Sequence, residues 1–311
     1  MRPPRFFIQT SRKLRSFGFA LLLMWCMPTW ATTNVTLLLS DTGGIYQEAA
    51  QALQTDLEQA GIQVTQQGLL QRSEPRREDW VVALGVAALQ QVMSERASTP
   101  VLSVLVPRAS YLRLTAGKPR PTTALYLDQP LARMAALQHT ALPDSRRIGI
   151  LLGSPMKTLR EDAEQAAYSQ RLEAQVRMVD SSDEVFPALS DLAEASDVLW
   201  LLPDPLVVNS NNLQSLFLQT YRQRLPVLAY SAALVQAGAM LGLYATPAQL
   251  GHEAAQWMVK SLLPAGGRKL PPPRYPTSFV VAINSSVARS LNVTLPSVDE
   301  LTRRLQALNL P

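Results

Sequence analysis

The feature that most constrains the fold is an alternation of short apolar runs with amphipathic helical patterns, which occurs twice along the chain. In the first set the predicted strands are VTLLLS (35–40), QVTQQG (63–68), WVVALG (80–85), PVLSVLVP (100–107) and TTALYLD (122–128). In the second set they are RIGILLG (147–153), AQVRMVD (174–180), DVLWLLPD (197–204) and PVLAYS (226–231). Apolar strands separated by helices indicate a parallel sheet that is covered on both faces. The two sets therefore predict an α/β protein with two doubly wound, Rossmann-like lobes.

The first 31 residues have the layout of a secretory signal. Five basic residues precede an apolar segment that is too short to span a membrane, and Thr29 and Ala31 are small residues at the expected cleavage site. We therefore expect residues 1–31 to be removed and the mature protein to be periplasmic. Trp25 precedes Cys26, where bacterial lipid attachment needs a small residue, so a lipoprotein is disfavoured.

Charge and cysteine content exclude several classes of function. The signal segment holds five of the 29 basic residues and none of the 24 acidic ones, which leaves 24 of each sign in the mature chain. A neutral mature chain gives no support to nucleic-acid binding. Cys26 is the only cysteine, and His139 and His252 are the only histidines, so a metal site or a histidine-dependent nucleophile is not expected. The sequence likewise has no phosphate-binding loop of GxGxxG or GxxxxGK[ST] spacing, and we expect no cofactor.

Two segments of similar design interrupt the alternation. The segments QPLARMAALQHTALPDS (129–145) and TPAQLGHEAAQWMVKSLLPAG (246–266) both have a proline in the first helical turn and end near Leu-Pro. Their likeness has two explanations. It arises by chance between alanine-rich helices, or it marks a pseudosymmetry in which each helix follows a crossing from one lobe to the other.

Three stretches of this chain resemble the ABC transporter substrate-binding family that includes tryptophan- and tyrosine-binding lipoproteins. They are the run from Asp128 to Gly153, the long stretch from PDPLVVNSNN (203–212) to WMVKSLL (257–263), and the closing FVVAINSSVARSLNVTLP (279–296). The resemblance implies a type I periplasmic binding protein with three crossing segments. It places the first lobe at 32–127 and 246–270, and the second at 128–245 and 271–311. It also implies a monomeric protein whose ligand is a small molecule, for example an amino-acid-like compound. The implied partner is an ABC permease or another inner-membrane protein.

The candidate ligand-binding residues follow the carboxyl ends of the predicted strands and lie at the crossings, because ligands of parallel sheets bind at that edge. They are Ser40, Asp41, Thr42, Gly43, Tyr46, Gly85, Tyr126, Ser154, Asp204, Tyr230, Ser231 and Tyr244. The SDTGGIY loop (40–46) has two interpretations: its amides bind a polar ligand group, or Asp41 or Thr42 caps the following helix. Asp204 has two interpretations as well: it pairs with a ligand amine, or its carboxylate caps a helix or stabilises a turn. Tyr126 and Tyr244 flank a ligand ring or pack the hinge.

Three classes of function remain open from the sequence. The resemblance favours a solute-binding protein that delivers its ligand to a permease. A periplasmic sensor subunit would use the same closure of the lobes to engage a receptor or kinase. An enzyme on this fold is the weakest alternative, because the sequence contains neither a nucleophile elbow nor a metal cluster.

Overall fold

The chain folds into two α/β lobes, each built on its own sheet. The computed structural model describes residues 33–69, 80–95, 97–266, 270–308 and 310. The strands are β1 (Asn34–Leu39), β2 (Gln63–Gly68), β3 (Trp80–Leu84), β4 (Val101–Val106), β5 (Thr122–Tyr126), β6 (Arg147–Gly153), β7 (Glu173–Val179), β8 (Val198–Trp200), β9 (Val227–Ala229), β10 (Leu241–Tyr244) and β11 (Val280–Ile283). The helices are α1 (Gly44–Gln59), α2 (Val86–Ser94), α3 (Arg108–Thr115), α4 (Leu131–Ala141), α5 (Lys157–Ser169), α6 (Ser182–Ala195), α7 (Leu213–Arg222), α8 (Ala232–Ala237), α9 (Pro247–Trp257), α10 (Ser285–Ser290) and α11 (Val298–Ala307). The predicted signal segment, 1–31, lies outside the described residues.

The first sheet has the strand order β2-β1-β3-β4-β5, and its strands pair in parallel. Strands β1, β3 and β4 are almost entirely buried, because helices cover both faces of the sheet. Helix α9 packs on this sheet beside α1, and its Leu250 and Ala254 share a core cluster with Leu53 and Leu57 of α1. This apolar contact fixes α9 to the first lobe although α9 follows β10 of the second lobe in the chain.

The second sheet repeats the arrangement, with the order β11-β10-β9-β8-β6-β7. Helices α4 and α11 pack on one face, where their buried leucines join Ile148, Trp200 and Leu243 in a core cluster. The other face packs against α6, α7 and α8. The prediction of two doubly wound lobes is confirmed, and the second helix of the similar pair, α9, lies on the opposite lobe from the first, α4.

One feature of the second lobe differs from the prediction of wholly parallel strands. Strand β11 is antiparallel to β10. The chain re-enters the second lobe at the end where β10 finishes, so β11 must run in the opposite direction. In addition, residues 271–274 still lie along β5: the Arg274 amide donates to Ala124 O, and the Tyr126 amide donates to Arg274 O, both at 2.9 Å. The last crossing therefore follows Arg274.

Candidate ligand-binding cleft

A cavity of about 530 Å³ lies between the carboxyl ends of the two sheets. Both lobes and the crossing segments contribute to its wall. The lining residues are Ile45, Glu48, Leu105, Leu127, Tyr230, Ser231, Ala232, Ala233, Tyr244, Ala245, Thr246 and Pro247. Its size is within the range of about 300–1,000 Å³ that is typical of small-molecule sites, and its wall is mainly apolar, as such sites usually are. Three of the predicted site residues, Tyr230, Ser231 and Tyr244, belong to this wall.

Leu105 reaches the cavity through an irregularity in β4. The pairing between β4 and β5 shifts register between Val104 and Val106, and Leu105 between them has a φ of 58°. This left-handed conformation costs a residue with a branched side chain about 1–2 kcal/mol. Leu105 is only 4% exposed, so burial of its side chain offsets the strain. The bulge re-aims one residue of a buried strand at the cleft, as bulges beside functional sites often do.

Tyr230 and Ser231 belong to the part of the wall that the second lobe contributes. Ser231 is the N-cap of α8, and its hydroxyl accepts a hydrogen bond from the Leu234 amide at 3.3 Å. Burial, together with the nearby carboxylates of Asp128 and Asp204, raises the pKa of Tyr230 to about 12. Its phenol is therefore neutral at physiological pH and can donate a hydrogen bond to a ligand.

The crossing into α9 supplies Tyr244, Ala245, Thr246 and Pro247. Thr246 and Gln249 form a capping box: the Thr246 hydroxyl accepts from the Gln249 amide at 3.1 Å, and Gln249 Oε1 accepts from the Thr246 amide at 2.9 Å. The box holds this part of the wall in one conformation. Burial raises the pKa of Tyr244, so its phenol also stays protonated.

The predicted SDTGGIY loop lies at the carboxyl end of β1, and its side chains are used within the protein. Ser40 Oγ accepts from the Ala88 amide at 2.9 Å, in the first turn of α2. Asp41 Oδ1 accepts from the Gly43 amide at 3.0 Å, which closes a tight turn before α1. Thr42 and Gly43 are exposed at this edge. The turn interpretation of Asp41 describes the geometry, although Gly43 rather than Asp41 or Thr42 is the N-cap of α1.

Gly85 brings this loop against α2. It has a φ of 95°, and a Cβ built on it would lie 2.4 Å from Cε1 of Tyr46 and 2.5 Å from Oγ of Ser40. Glycine is thus required by both the backbone conformation and the contact. Ser40, Tyr46 and Gly85 are brought together as a packed group beside the cavity, and Ile45 of the same loop lines it.

Asp204 is buried, and its carboxylate binds backbone amides of the protein itself. It is 3% exposed; its carboxylate accepts from the Gly153 amide at 2.6 Å and from the Leu206 amide at 2.9 Å. These bonds join the ends of β6 and β8, so the turn-acid interpretation accounts for both oxygens. Ser154, the next residue after β6, hydrogen bonds to Asp180 and does not line the cavity.

Tyr126 packs the hinge. Its ring makes edge-to-face contacts with Tyr111 at 5.8 Å and Tyr275 at 5.2 Å between ring centroids, and it is 6% exposed. Burial raises its pKa to about 12. The hinge-packing alternative therefore describes Tyr126, whereas Tyr244 lies at the cavity wall.

A second, much smaller gap lies beside the first crossing and was not predicted. Arg108, Asp128, Tyr230 and Tyr275 contribute to its wall. The Asp128 carboxylate accepts from the Arg108 amide at 2.5 Å. Loss of hydration raises the pKa of Asp128 to about 6, although the Arg108 amide and the Arg108 charge act against the shift. The Arg108 guanidinium extends across to Asp162 of α5 and forms an ion pair with it.

No direct sequence signal marks Glu48, Leu105 and Leu127 as cleft residues. Glu48 lies on α1, Leu105 is re-aimed by the bulge in β4, and Leu127 directly follows β5. Folding of the first lobe brings all three to one cavity. Within the described residues there is no cluster of three or more side chains suited to metal binding. None of the described helices has the length and apolar character needed to cross a membrane.

Two doubly wound lobes, three crossings and a cavity between the carboxyl ends of the sheets define a type I periplasmic binding protein. The model of the family described as ABC transporter substrate binding protein matches residues 47–302, and the chain belongs to that family. A search of curated protein sequences finds no match.

Solved structures share the fold at low sequence identity. The ABC domain of Streptococcus pneumoniae in complex with L-Trp is 16% identical, with a TM-score of 0.64 over 88% of this chain and 98% of that one. The ligand-free, open structure of a substrate-binding protein with adhesive properties from Clostridium difficile is also 16% identical, with a TM-score of 0.65 over 86% of this chain and 97% of that one. A leucine-binding protein from Thermotoga maritima is 14% identical, with a TM-score of 0.54 over 76% and 84%.

Proposed function

We propose that this protein captures a small organic molecule in the cleft, closes its lobes on it and delivers it unchanged to an ABC permease. One observation carries the proposal: a single cavity has walls from both lobes and from the crossing segments between them. A ligand that contacts both walls binds the closed arrangement better than an open one, and this difference in affinity drives closure.

The cavity suits a molecule the size of an amino acid, with an apolar body. Ile45, Leu105 and Leu127 supply aliphatic surface, and Tyr230 and Tyr244 supply ring surface with a hydroxyl group. Aromatic walls with a few polar groups favour ligands that have an apolar body and a polar end. The S. pneumoniae relative holds L-Trp, which agrees with a ligand of this size.

We place the mature protein in the periplasm as a monomer, since family membership and the basic, apolar character of residues 1–31 support export. There the protein would collect its solute at low concentration and present it to the membrane complex. No cofactor or nucleic acid enters this proposal.

Binding is tested by thermal-shift and calorimetric screening of residues 33–311 against amino acids, amines, nucleosides, sugars and short peptides. The site is tested by Ala233→Trp, which places a large side chain at an exposed position of the cavity wall. Ala307→Trp, at an exposed position of α11, is the matched control. We expect the first variant to abolish binding of any hit and the second to leave it unchanged. A hit that Ala233→Trp leaves intact would contradict the cleft assignment.

Delivery is tested separately with a photo-crosslinking amino acid placed on exposed positions near the cleft, such as Thr42. Crosslinked products from intact cells are identified by mass spectrometry. An ABC permease subunit as the crosslinked partner supports delivery, and a receptor or kinase in its place would contradict it.

A further inference from the structure

Glu48 is the only charged side chain among the described residues that line the cavity. It lies on α1, one helical turn after Ile45, which also lines the cavity. The remaining wall consists of apolar, small or uncharged polar residues, and none of the described lining residues is basic. The electrostatic character of the cleft therefore depends on this carboxylate.

The Glu48 carboxylate has little compensation within the protein. Its Oε1 accepts one long hydrogen bond, 3.4 Å, from the Ala248 amide of α9. No ion pair to Glu48 occurs within the described ranges. The start of α9 does not depend on it, because Thr246 and Gln249 already form a complete capping box there.

Closure of the lobes would remove water from this carboxylate. A carboxylate that loses water without gaining a counter-ion is strongly unfavourable, whereas a paired one is tolerated. A ligand with a positive charge beside Glu48 would supply the missing counter-ion and would so favour the closed state. The rings of Tyr230 and Tyr244 in the same wall also attract cations through their π faces.

None of the described residues that line the cleft carries a positive charge that would pair with an anionic group. The SDTGGIY loop lies at the edge of the cleft, but its Gly43 amide already donates a hydrogen bond to the Asp41 carboxylate at 3.0 Å. Asp41 is itself exposed at that edge and would repel a second carboxylate. Arg108, the nearby cation at the smaller gap, is paired with Asp162.

We propose that Glu48 determines ligand specificity, and that the ligand class is a compact organic ammonium compound with an aromatic or aliphatic body and no requirement for a carboxylate. The inference rests on the proposed function, because it concerns the same cavity. Beyond the proposed function, it specifies that the ligand is positively charged and that Glu48 recognises this charge.

Two trios of probes with a common body test the charge preference by calorimetry. The indole trio is tryptamine, L-tryptophan and indole-3-propionate, and the aliphatic trio is isoamylamine, L-leucine and 4-methylpentanoate. In at least one trio we expect the amine to bind at least tenfold more tightly than the carboxylate analogue. We further expect Glu48→Gln to weaken amine binding by tenfold or more and to leave the carboxylate analogue no weaker.

Glu58→Gln is the matched control, since Glu58 is exposed on the same helix and hydrogen bonds to Gln54 away from the cavity. It should leave every affinity unchanged. Equal or tighter binding of the carboxylate analogues, an amine affinity that Glu48→Gln does not change, or no binding in either trio would overturn the inference.

The two proposals fail separately. If a carboxylate analogue or another solute of the broad screen binds, and Ala233→Trp abolishes that binding, the cleft function is retained. Only the charge preference is then removed. Absence of any cleft-bound solute in the broad screen would remove the cleft function itself.

Discussion

Arg108, the first residue of α3, forms an ion pair with Asp162 of α5 and thereby ties the first lobe to the second. The Arg108 side chain is 27% exposed and that of Asp162 is 41% exposed. Ion pairs with this exposure contribute about 1 kcal/mol or less to folding, because water and salt screen them. The pair nevertheless joins two lobes that, under the proposed function, would move apart for a ligand to enter.

Asp162→Asn removes this tie with little effect on folding. We expect the free energy of unfolding in urea to fall by less than about 1 kcal/mol, and we expect the distance between the lobes in the ligand-free protein to shift toward longer values. Spin labels on the two lobes measure the distance. Glu164→Gln is the control, since Glu164 pairs with Arg160 on the same helix. An interlobe distance that responds equally to both variants would contradict the role of the tie.

The raised pKa of Asp128 predicts that the stability of the protein depends on pH between about pH 4 and 7. Its pKa is raised from 3.8 to about 6 in the folded protein, so the folded state binds the proton more tightly than the unfolded state. The associated stabilisation is present at low pH and is lost as the pH rises through about 6. Allowing for the partial exposure of the side chain, its size is on the order of 2 kcal/mol.

Asp128→Asn isolates this effect, because the amide oxygen can still accept from the Arg108 amide. Unfolding free energies of both proteins are measured in urea from pH 4 to 7.5. The difference, variant minus wild type, should increase with pH and level off above about pH 7. A difference that is independent of pH would show that Asp128 titrates normally.

Asp204→Ala should destabilise the protein by about 2–4 kcal/mol, because it leaves the buried amides of Gly153 and Leu206 without their acceptor. Urea unfolding measures the loss. Asp191→Ala, at an exposed position of α6, is the control and should change the free energy of unfolding by less than about 0.5 kcal/mol. Equal, small effects of the two variants would speak against a structural role for Asp204.

Gly85→Ala should cost about 2 kcal/mol or more, since the new methyl group meets Tyr46 and Ser40 and the φ of 95° is strained for alanine. Gly61→Ala separates the two causes. Gly61 has a φ of 78° but open space around it, so only the backbone strain of about 1 kcal/mol applies there. Melting temperatures that fall equally in the two variants would contradict the steric part of the argument.

The fold was predictable because parallel strands that are buried on both faces require nearly continuous apolar runs in the sequence. Runs such as WVVALG and RIGILLG are apolar on both faces, and few other structures need that pattern. Helix α11 was not predicted, although Ser297 and Glu300 are spaced as an N-terminal cap, and Ser297 Oγ accepts from the Glu300 amide at 3.2 Å.

The cleft was predictable only in part, since strand ends locate its edge and not its wall. The strand-end rule led to Tyr230 and Ser231, which line the cavity, and also to Ser40 and Asp204, which bind backbone amides of the protein itself. Leu105 could not be found in this way. Its role depends on a bulge in β4 that an apolar run does not encode locally.

The interlobe distance with and without solute shows whether the two lobes close on a bound ligand. In residues 33–311, which lack Cys26, spin labels at Gln51→Cys of the first lobe and Tyr168→Cys of the second, both exposed, report the distance by double electron-electron resonance. We expect any solute that raises the melting temperature to shorten this distance, and Ala233→Trp to abolish both effects. A solute that stabilises the protein and leaves the distance unchanged would contradict capture by closure of the two lobes.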